Sequence, residues 1–288
     1  MTPRSGGARA RSCVERLTEW ALDAAGILGW SRPFRHNSAT ATLEQLLRDA
    51  AVIAPHEDGW RSTVRVSSIG EQLYFHSAYP TDADDAVFFG PDTYRFMRAV
   101  VGALATGDKP HRIIEIGCGA APAAIALALR YPDADVVAAD INDAALALAA
   151  VNAQLAGVAN VRTVKSDVLA GAQGDFDLIV SNPPYIADSA DRTYRDGGGN
   201  LGADISLRIL DESIVRLAAR GRIMLYTGSA IVAGQDLFKD AARGLLEHAG
   251  LAFDYDELDP DVFGDHLDEP AYRQVERIAA VMLNVQKN

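Results

Sequence analysis

The chain has little cysteine, no long apolar run and no excess of basic residues. Its two cysteines, Cys13 and Cys118, are too few for a disulfide framework and lack a metal-binding spacing, which fits a reducing compartment. The longest apolar run, GAAPAAIALAL from Gly119 to Leu129, is about half of the ~20 residues that a membrane helix needs. Lysine and arginine total 27 against 39 aspartate and glutamate, a net charge of −12. A protein drawing its affinity from a phosphate backbone would be basic or carry a basic stripe, so nucleic acid is disfavoured as a partner. The first dozen residues, MTPRSGGARARS, carry arginines but no apolar segment in signal-peptide order. They read as a frayed tail, and the chain as a cytoplasmic protein with no membrane partner.

What is present is ordinary core material, 49% hydrophobic residues in 288, enough for one large domain with a small accessory. Ser12 and Glu15 form a capping box ahead of an apolar stripe at Val14, Leu17, Ala21, Leu22 and Ala25, with Gly26 and Gly29 to end the helix. A second helix is expected from Thr42, with Leu43, Leu46, Leu47 and Ala50 on one face. The segment TVRVSSIGEQLYFHSAY predicts a hairpin around Gly70 and Glu71. Residues 1–61 are thus a helical accessory region, 62–84 a hairpin linker and 85–288 the main domain. From Pro91 onward, apolar strands alternate with helices, predicting an α/β doubly wound, mostly parallel sheet covered on both faces. Ligands of such sheets sit beyond the strand carboxyl ends, where the strand order reverses.

Four stretches fall at those ends. IIEIGCGAAP runs from a strand through Gly117 and Gly119 into a helix, and glycines there let a ligand approach backbone. Pro122 stands where a dinucleotide fingerprint has its third glycine, which counts against a pyrophosphate cradle and a nicotinamide enzyme. Asp140 ends VVAAD and could accept two ribose hydroxyl protons, or could cap the next helix in competition with Asn142 or Asp143. Ser166-Asp167 ends the following strand, within reach of an adenine amino group or in a plain turn. In register, the three ends point to adenosine. Last is Asn182-Pro183-Pro184-Tyr185 after FDLIVS. Its prolines keep the segment extended and free its carbonyls. The Asn182 side-chain oxygen and the Pro183 carbonyl could then face one NH₂ group, with Tyr185 as a flat face for a planar substrate. None of the six histidines sits in a catalytic motif; His76 and His266 are expected at the surface. Residues 251–270 hold eight acidic and no Lys or Arg side chains, either a solvated loop or an acidic rim for a cationic substrate.

With EIGCG, Asp140, Asp167 and NPPY in order, the chain from about residue 85 resembles the class I S-adenosylmethionine-dependent methyltransferases that carry an NPPY motif. The resemblance implies seven strands with the last antiparallel, and S-adenosylmethionine as cofactor, released as S-adenosylhomocysteine. It further implies that Glu115, Gly117, Cys118, Gly119 and Ala121 hold the methionine portion, Asp140 the ribose, and Asp167 with Val168 the adenine, with Ile141 also in the cofactor set. The front of the chain is similar to the release-factor glutamine methyltransferases, whose arginine-proline-acid-threonine-glutamate string is matched here by Pro91, Asp92 and Thr93. Thr93 joins the cofactor set on that basis, and Asn182, Pro183 and Tyr185 form the catalytic set, with no metal. Gly90 and Tyr94 replace the string's arginine and glutamate. The implied acceptor is a protein glutamine amide, with a small-molecule amide, amine or guanidine as the alternative and a nucleic-acid base behind both.

Overall fold

A computed structural model of the protein describes residues 20–37, 40–104, 109–187, 197–199 and 201–287. The predicted Ser12–Glu15 capping box and the basic tail lie outside the described residues, as does Cys13. The chain forms two compact units, Met1–Ser67 with Phe75–Thr81, and Ser68–Tyr74 with Asp82–Asn288.

In the smaller unit the expected first helix does not extend through Ala21 and Leu22. Ala21 bridges to Phe34, and a single π-helical turn spans Ala25–Gly29. Asp23 is the cause: its carboxylate accepts the Gly26 N–H at 2.7 Å, a local bond that competes with helix continuation. Helix α1 is Ala41–Asp49. Leu47 joins a small core with Ala21, Ile27 and Phe34, whereas Leu46 is exposed. Glu44 turns inward instead, held by Arg48 at 2.7 Å and by His36 at 2.9 Å. A hairpin of β1 (Ile53–His56) and β2 (Gly59–Ser62) stands in a region expected to be helical. A second hairpin, β3 (Val64–Ile69) and β4 (Gln72–Ser77), turns where Gly70 and Glu71 predict it. His76, expected at the surface, is buried, with Ser67 Oγ at 2.8 Å from its Nε2. Burial and the Arg65 charge push its pKa down to about 4.

The larger unit opens with α2 (Pro91–Ala103), Pro91 filling the first-turn position where no N–H is needed. There follow β5 (Arg112–Ile116), α3 (Pro122–Arg130), β6 (Asp135–Asp140), α4 (Asp143–Leu155), β7 (Val161–Lys165) and β8 (Phe176–Ser181). The chain continues through α5 (Asp204–Val215), β9 (Leu217–Val232), β10 (Gln235–Asp236), α6 (Leu237–Ala249), β11 (Ala252–Asp259) and β12 (Arg277–Gln286). The main sheet is ordered β11-β12-β9-β8-β5-β6-β7, with β10 folded back on β9. Strands β7, β6, β5, β8 and β9 are parallel; β12 is antiparallel to both β9 and β11, so apart from the short β10 it alone opposes the rest. The doubly wound sheet with an antiparallel last strand is therefore as expected.

Side-chain alternation builds one core on each face. Ile113, Val136, Leu178, Met224 and Tyr226 meet Phe96, Ile125 and Ala149 on one side. Ile114, Val137, Ile179 and Leu225 meet Leu210, Phe238 and Leu246 on the other. Strand β9 starts earlier than GRIMLYTG suggests, because Leu217 pairs with Phe176 and is buried there. The β9–β10 turn, Ala233-Gly234, has positive φ at both residues (49° and 74°), the conformation of a tight two-residue hairpin. The order reverses between β5 and β8, whose ends align with Ile116 opposite Ser181.

Candidate active site

The chain leaves β5 through three left-handed residues, Gly117 (φ 65°), Gly119 (52°) and Ala121 (58°). At Gly117 nothing lies within 4 Å of where a Cβ would stand, so glycine is needed there for its φ and not for space inside the protein. Ala121 pays the strain of an L-residue in this region, roughly 1–2 kcal/mol, and is pinned by its N–H donating to the Cys118 carbonyl at 2.7 Å. Beneath the turn, the buried Glu115 accepts the Ala124 N–H at 2.7 Å and the Ala123 N–H at 3.3 Å, the first free amides of α3. Burial pushes its carboxyl up to about 8, against the pull of those amides. Cys118 is buried, and burial first, then the Asp140 and Glu115 charges, raise its thiol, so it is a filler and no nucleophile.

Asp140 Oδ2 accepts the Gly119 N–H at 2.8 Å, and its Oδ1 accepts the Asn142 N–H at 2.9 Å. Burial raises its pKa. A carboxylate has about four lone-pair sites, so Asp140 keeps accepting capacity beyond these amides. Asn142 is the cap of α4, accepting the Ala144 N–H at 2.9 Å, which frees Asp140 from that duty. Ile141, beside it, is 52% exposed, an apolar side chain standing in solvent at the edge of the turn. At the next strand end, Asp167 is held by Arg208 through both guanidinium ends, at 2.8 and 3.0 Å. Val168 is buried with φ 50°, its carbonyl accepting the Ser166 hydroxyl at 2.8 Å.

Backbone and side-chain bonds stitch the four strand ends together. Cys118 N–H donates to the Ala139 carbonyl at 3.0 Å, and Ser166 N–H to the Asp140 carbonyl at 2.9 Å. Ser181 Oγ donates to the Ile116 carbonyl at 2.8 Å across the reversal. Asn182 follows directly, half-buried; Pro183 and Tyr185 are buried. The Tyr185 ring is enclosed, with Phe263 edge-on at 5.9 Å and Tyr226 at 6.3 Å, so it offers no open flat face. A Cβ at Gly228 would stand 2.2 Å from that ring. Cβ atoms at Gly197 and Gly202 would strike the Tyr185 backbone, so the glycine-rich loop lies against NPPY. Tyr272 Oη accepts the Ala187 N–H at 2.7 Å, closing the same segment from the C-terminal side.

Behind Tyr185, Tyr226 donates to Asp92 at 2.6 Å; Asp92 also accepts from Arg95 at 3.1 Å, and Arg95 reaches Asp259 at 2.7 Å. Thr93 is buried and occupied with its own helix start, its Oγ1 accepting the Gly90 N–H at 3.3 Å. A Cβ at Gly90 would meet the Phe88 ring at 2.3 Å, so an arginine there would require Phe88 to move. Tyr226, Gly228, Phe263, Tyr272 and Arg208 escaped the sequence reading. Only the small Gly228, at the end of LYTG, left a visible signal. Among the described residues no helix is long and apolar enough to cross a membrane.

Residues 97–226 match the family described as methyltransferase small domain. A release factor glutamine methyltransferase of Bordetella pertussis is 33% identical over 72% of this chain and 80% of its own length. One of Deinococcus radiodurans is 34% identical over 47% of this chain and 51% of its own length, so the match spans about half of that relative. Among solved structures, wild-type Trm5b from Pyrococcus abyssi aligns with TM-score 0.52 and 16% identity, covering 81% of this chain and 62% of that one. That likeness is one of fold.

Proposed function

Because the chain belongs to the methyltransferase family that includes the release factor glutamine methyltransferases, we propose that it methylates the side-chain amide nitrogen of a glutamine in a protein. The observation carrying this reading is the Ser181–Ile116 bond across the strand reversal, which sets Asn182 beside the glycine turn. The turn from Gly117 to Ala121 would take the methionine portion of S-adenosylmethionine over the buried Glu115. Asp140, with accepting capacity left on its carboxylate, would take the ribose, and Ile141, Asp167 and Val168 the adenine. The exposed Ile141 supports that assignment, since an apolar side chain at this edge gains from being covered by a flat ring. When bound, the cofactor supplies an electrophilic methyl group on a positively charged sulfur.

The chain's own task is to hold the acceptor. An amide nitrogen is a poor nucleophile because its lone pair is delocalised. Asn182 Oδ1 and the Pro183 carbonyl would accept both N–H protons, fix the NH₂ group and stabilise positive charge growing on nitrogen. No base need act first, since the nitrogen becomes more acidic as it is alkylated. Tyr185, enclosed by Tyr226 and Phe263, would act as the anchor that keeps Asn182 and Pro183 in place.

The test is methyl transfer from radiolabelled donor to a lysate of cells lacking the gene, with and without Asn182→Ala. The expected result is label in one protein band, on a glutamine after digestion. Asn182→Ala should lose that label while binding donor within about three-fold of the parent, a change under 1 kcal/mol. Label confined to small molecules would overturn the protein acceptor. Equal loss of donor affinity in Asn182→Ala would overturn the role given to that residue.

A further inference from the structure

The turn after β7 is gripped from outside by one face of α5. Arg208 and Glu212, four residues apart and so on the same face, reach two points of the turn. Arg208 Nη1 and Nη2 donate to Asp167 Oδ1 and Oδ2 at 2.8 and 3.0 Å. Glu212 Oε1 accepts from Arg208 Nε at 2.8 Å, while its Oε2 accepts the Leu169 N–H at 3.2 Å. Between the two gripped residues lies Val168, a β-branched residue at φ 50°. Such a conformation costs of order 1–3 kcal/mol and persists only where the surroundings over-determine it. From inside, Ser166 Oγ donates to the Val168 carbonyl at 2.8 Å and accepts the Gly171 N–H at 2.9 Å. The turn is held from both sides.

We infer that Arg208, braced by Glu212, is a positioning residue for recognition of the donor's base: it fixes the plane of the Asp167 carboxylate so that one remaining lone pair points at an exocyclic amino group. The inference rests on the reading that Asp167 and Val168 receive the adenine. A guanidinium fork takes one lone pair from each carboxylate oxygen and leaves one on each. The Arg208 and Asp167 side chains are 43% and 52% exposed, so the pair adds little to stability and its effect is orientation. A fixed carboxylate accepts from the amino group of adenine and opposes the carbonyl oxygen that replaces it in hypoxanthine. A carboxylate free to swing aside tolerates both. Arg208 therefore sets the preference for an adenosyl over an inosyl donor.

The test is calorimetric binding of S-adenosylhomocysteine and S-inosylhomocysteine to the full chain and to Arg208→Ala, Arg208→Lys, Glu212→Gln and Asp167→Asn. In Arg208→Ala the adenosyl preference should fall about ten-fold, the weak end of what one charge-assisted hydrogen bond provides. The melting temperature should change by at most about 4 °C, as for an exposed ion pair. Arg208→Lys keeps the charge and loses the fork, so it should recover only part of the preference. Glu212→Gln should fall between Lys and the parent. If Arg208→Ala does not fold, Arg208→Lys and Glu212→Gln decide the matter by the same ratio. An unchanged preference in the Arg208 and Glu212 variants, alongside a reduced one in Asp167→Asn, overturns the inference and leaves the adenine assignment standing. If Asp167→Asn also leaves affinity and preference intact, the assignment of the adenine to Asp167 fails, and the inference with it.

Discussion

Replacing Glu115 by Gln should flatten the dependence of stability on pH. The carboxyl is fully enclosed beneath the glycine turn, and burial pushes its pKa from 4.5 up to about 8. Below pH 4.5 the folded and unfolded chains both keep the proton. Between 4.5 and about 8 the unfolded chain has released it while the folded chain still holds it, so folding becomes less favourable as pH rises. Above that window the slope from this group vanishes. The difference is on the order of 5 kcal/mol across the window. For a unit of this size that amounts to about 10 °C or more in melting temperature. Burial drives this shift against the geometry, since both oxygens accept amide protons, from Ala124 at 2.7 Å and from Ala123 at 3.3 Å. A glutamine keeps an acceptor for the Ala124 N–H and does not titrate, although its NH₂ group then faces the Ala123 N–H, a pH-independent cost that leaves the slope as the readout. Thermal unfolding followed by circular dichroism from pH 4.5 to 9 should show the parent losing stability relative to Glu115→Gln up to about pH 8, then running parallel to it. Parallel curves throughout, or a parent that gains on the variant as pH rises, would refute the reasoning.

Two further outcomes are expected on the two halves of the site. Asp140→Ala removes the ribose acceptor and leaves the Gly119 and Asn142 amides without their partner. Donor affinity by calorimetry should weaken about 100-fold, the worth of two charge-assisted hydrogen bonds at about 1.5 kcal/mol each; a change below three-fold would sink the assignment. Gly228→Ala places a methyl 2.2 Å from the Tyr185 ring, so the ring must move. Overpacking of this kind costs about 1–3 kcal/mol. Methyl transfer should fall with donor affinity unchanged, and a parent-like turnover number would show that the ring's position is immaterial to the acceptor.

What was legible in the sequence was local. The strands that build the sheet announce themselves because parallel strands covered on both faces are near-continuously apolar, as IIEI and DLIV are apart from one acid each. The residues proposed to hold the donor were legible as a set for a related reason: Gly117, Asp140 and Asp167 each stand at or just past the end of a strand, and aligning the strands aligns their ends. Which residue caps α4 became visible only in three dimensions, where Asn142 and not Asp140 takes that place. Leu46 is exposed where the apolar stripe predicts it buried, because helical periodicity cannot foresee that Arg48 and His36 bury the Glu44 carboxylate by pairing with it. The β1–β2 hairpin was missed because Glu57 and Asp58, at its turn, are weak signals beside Asn-Gly or Asp-Gly.

The acceptor half resists sequence reading because its parts are remote from one another. Tyr185 is enclosed by residues from β9, from the glycine-rich loop and from the acidic segment, 12 positions (Gly197) to 78 positions (Phe263) further along the chain. No motif spans such distances. The acidic segment shows what this does to interpretation. As a string of charges it suggested a rim or a solvated loop, yet Asp259 is tied to Arg95, Glu257 to Arg277 and Glu269 to His266. Those carboxylates are spent on bracing the segment that seats Phe263 against Tyr185. The same segment thus reaches the NPPY anchor along two lines. Phe263 touches the Tyr185 ring, and the Asp259–Arg95–Asp92 chain reaches the Tyr226 hydroxyl on the ring's other side. A rearrangement of the segment on acceptor binding would move both supports at once. On the proposed reading, in which NPPY orients an NH₂ group without saying what carries it, acceptor choice would then depend on the packing around Tyr185 more than on NPPY itself.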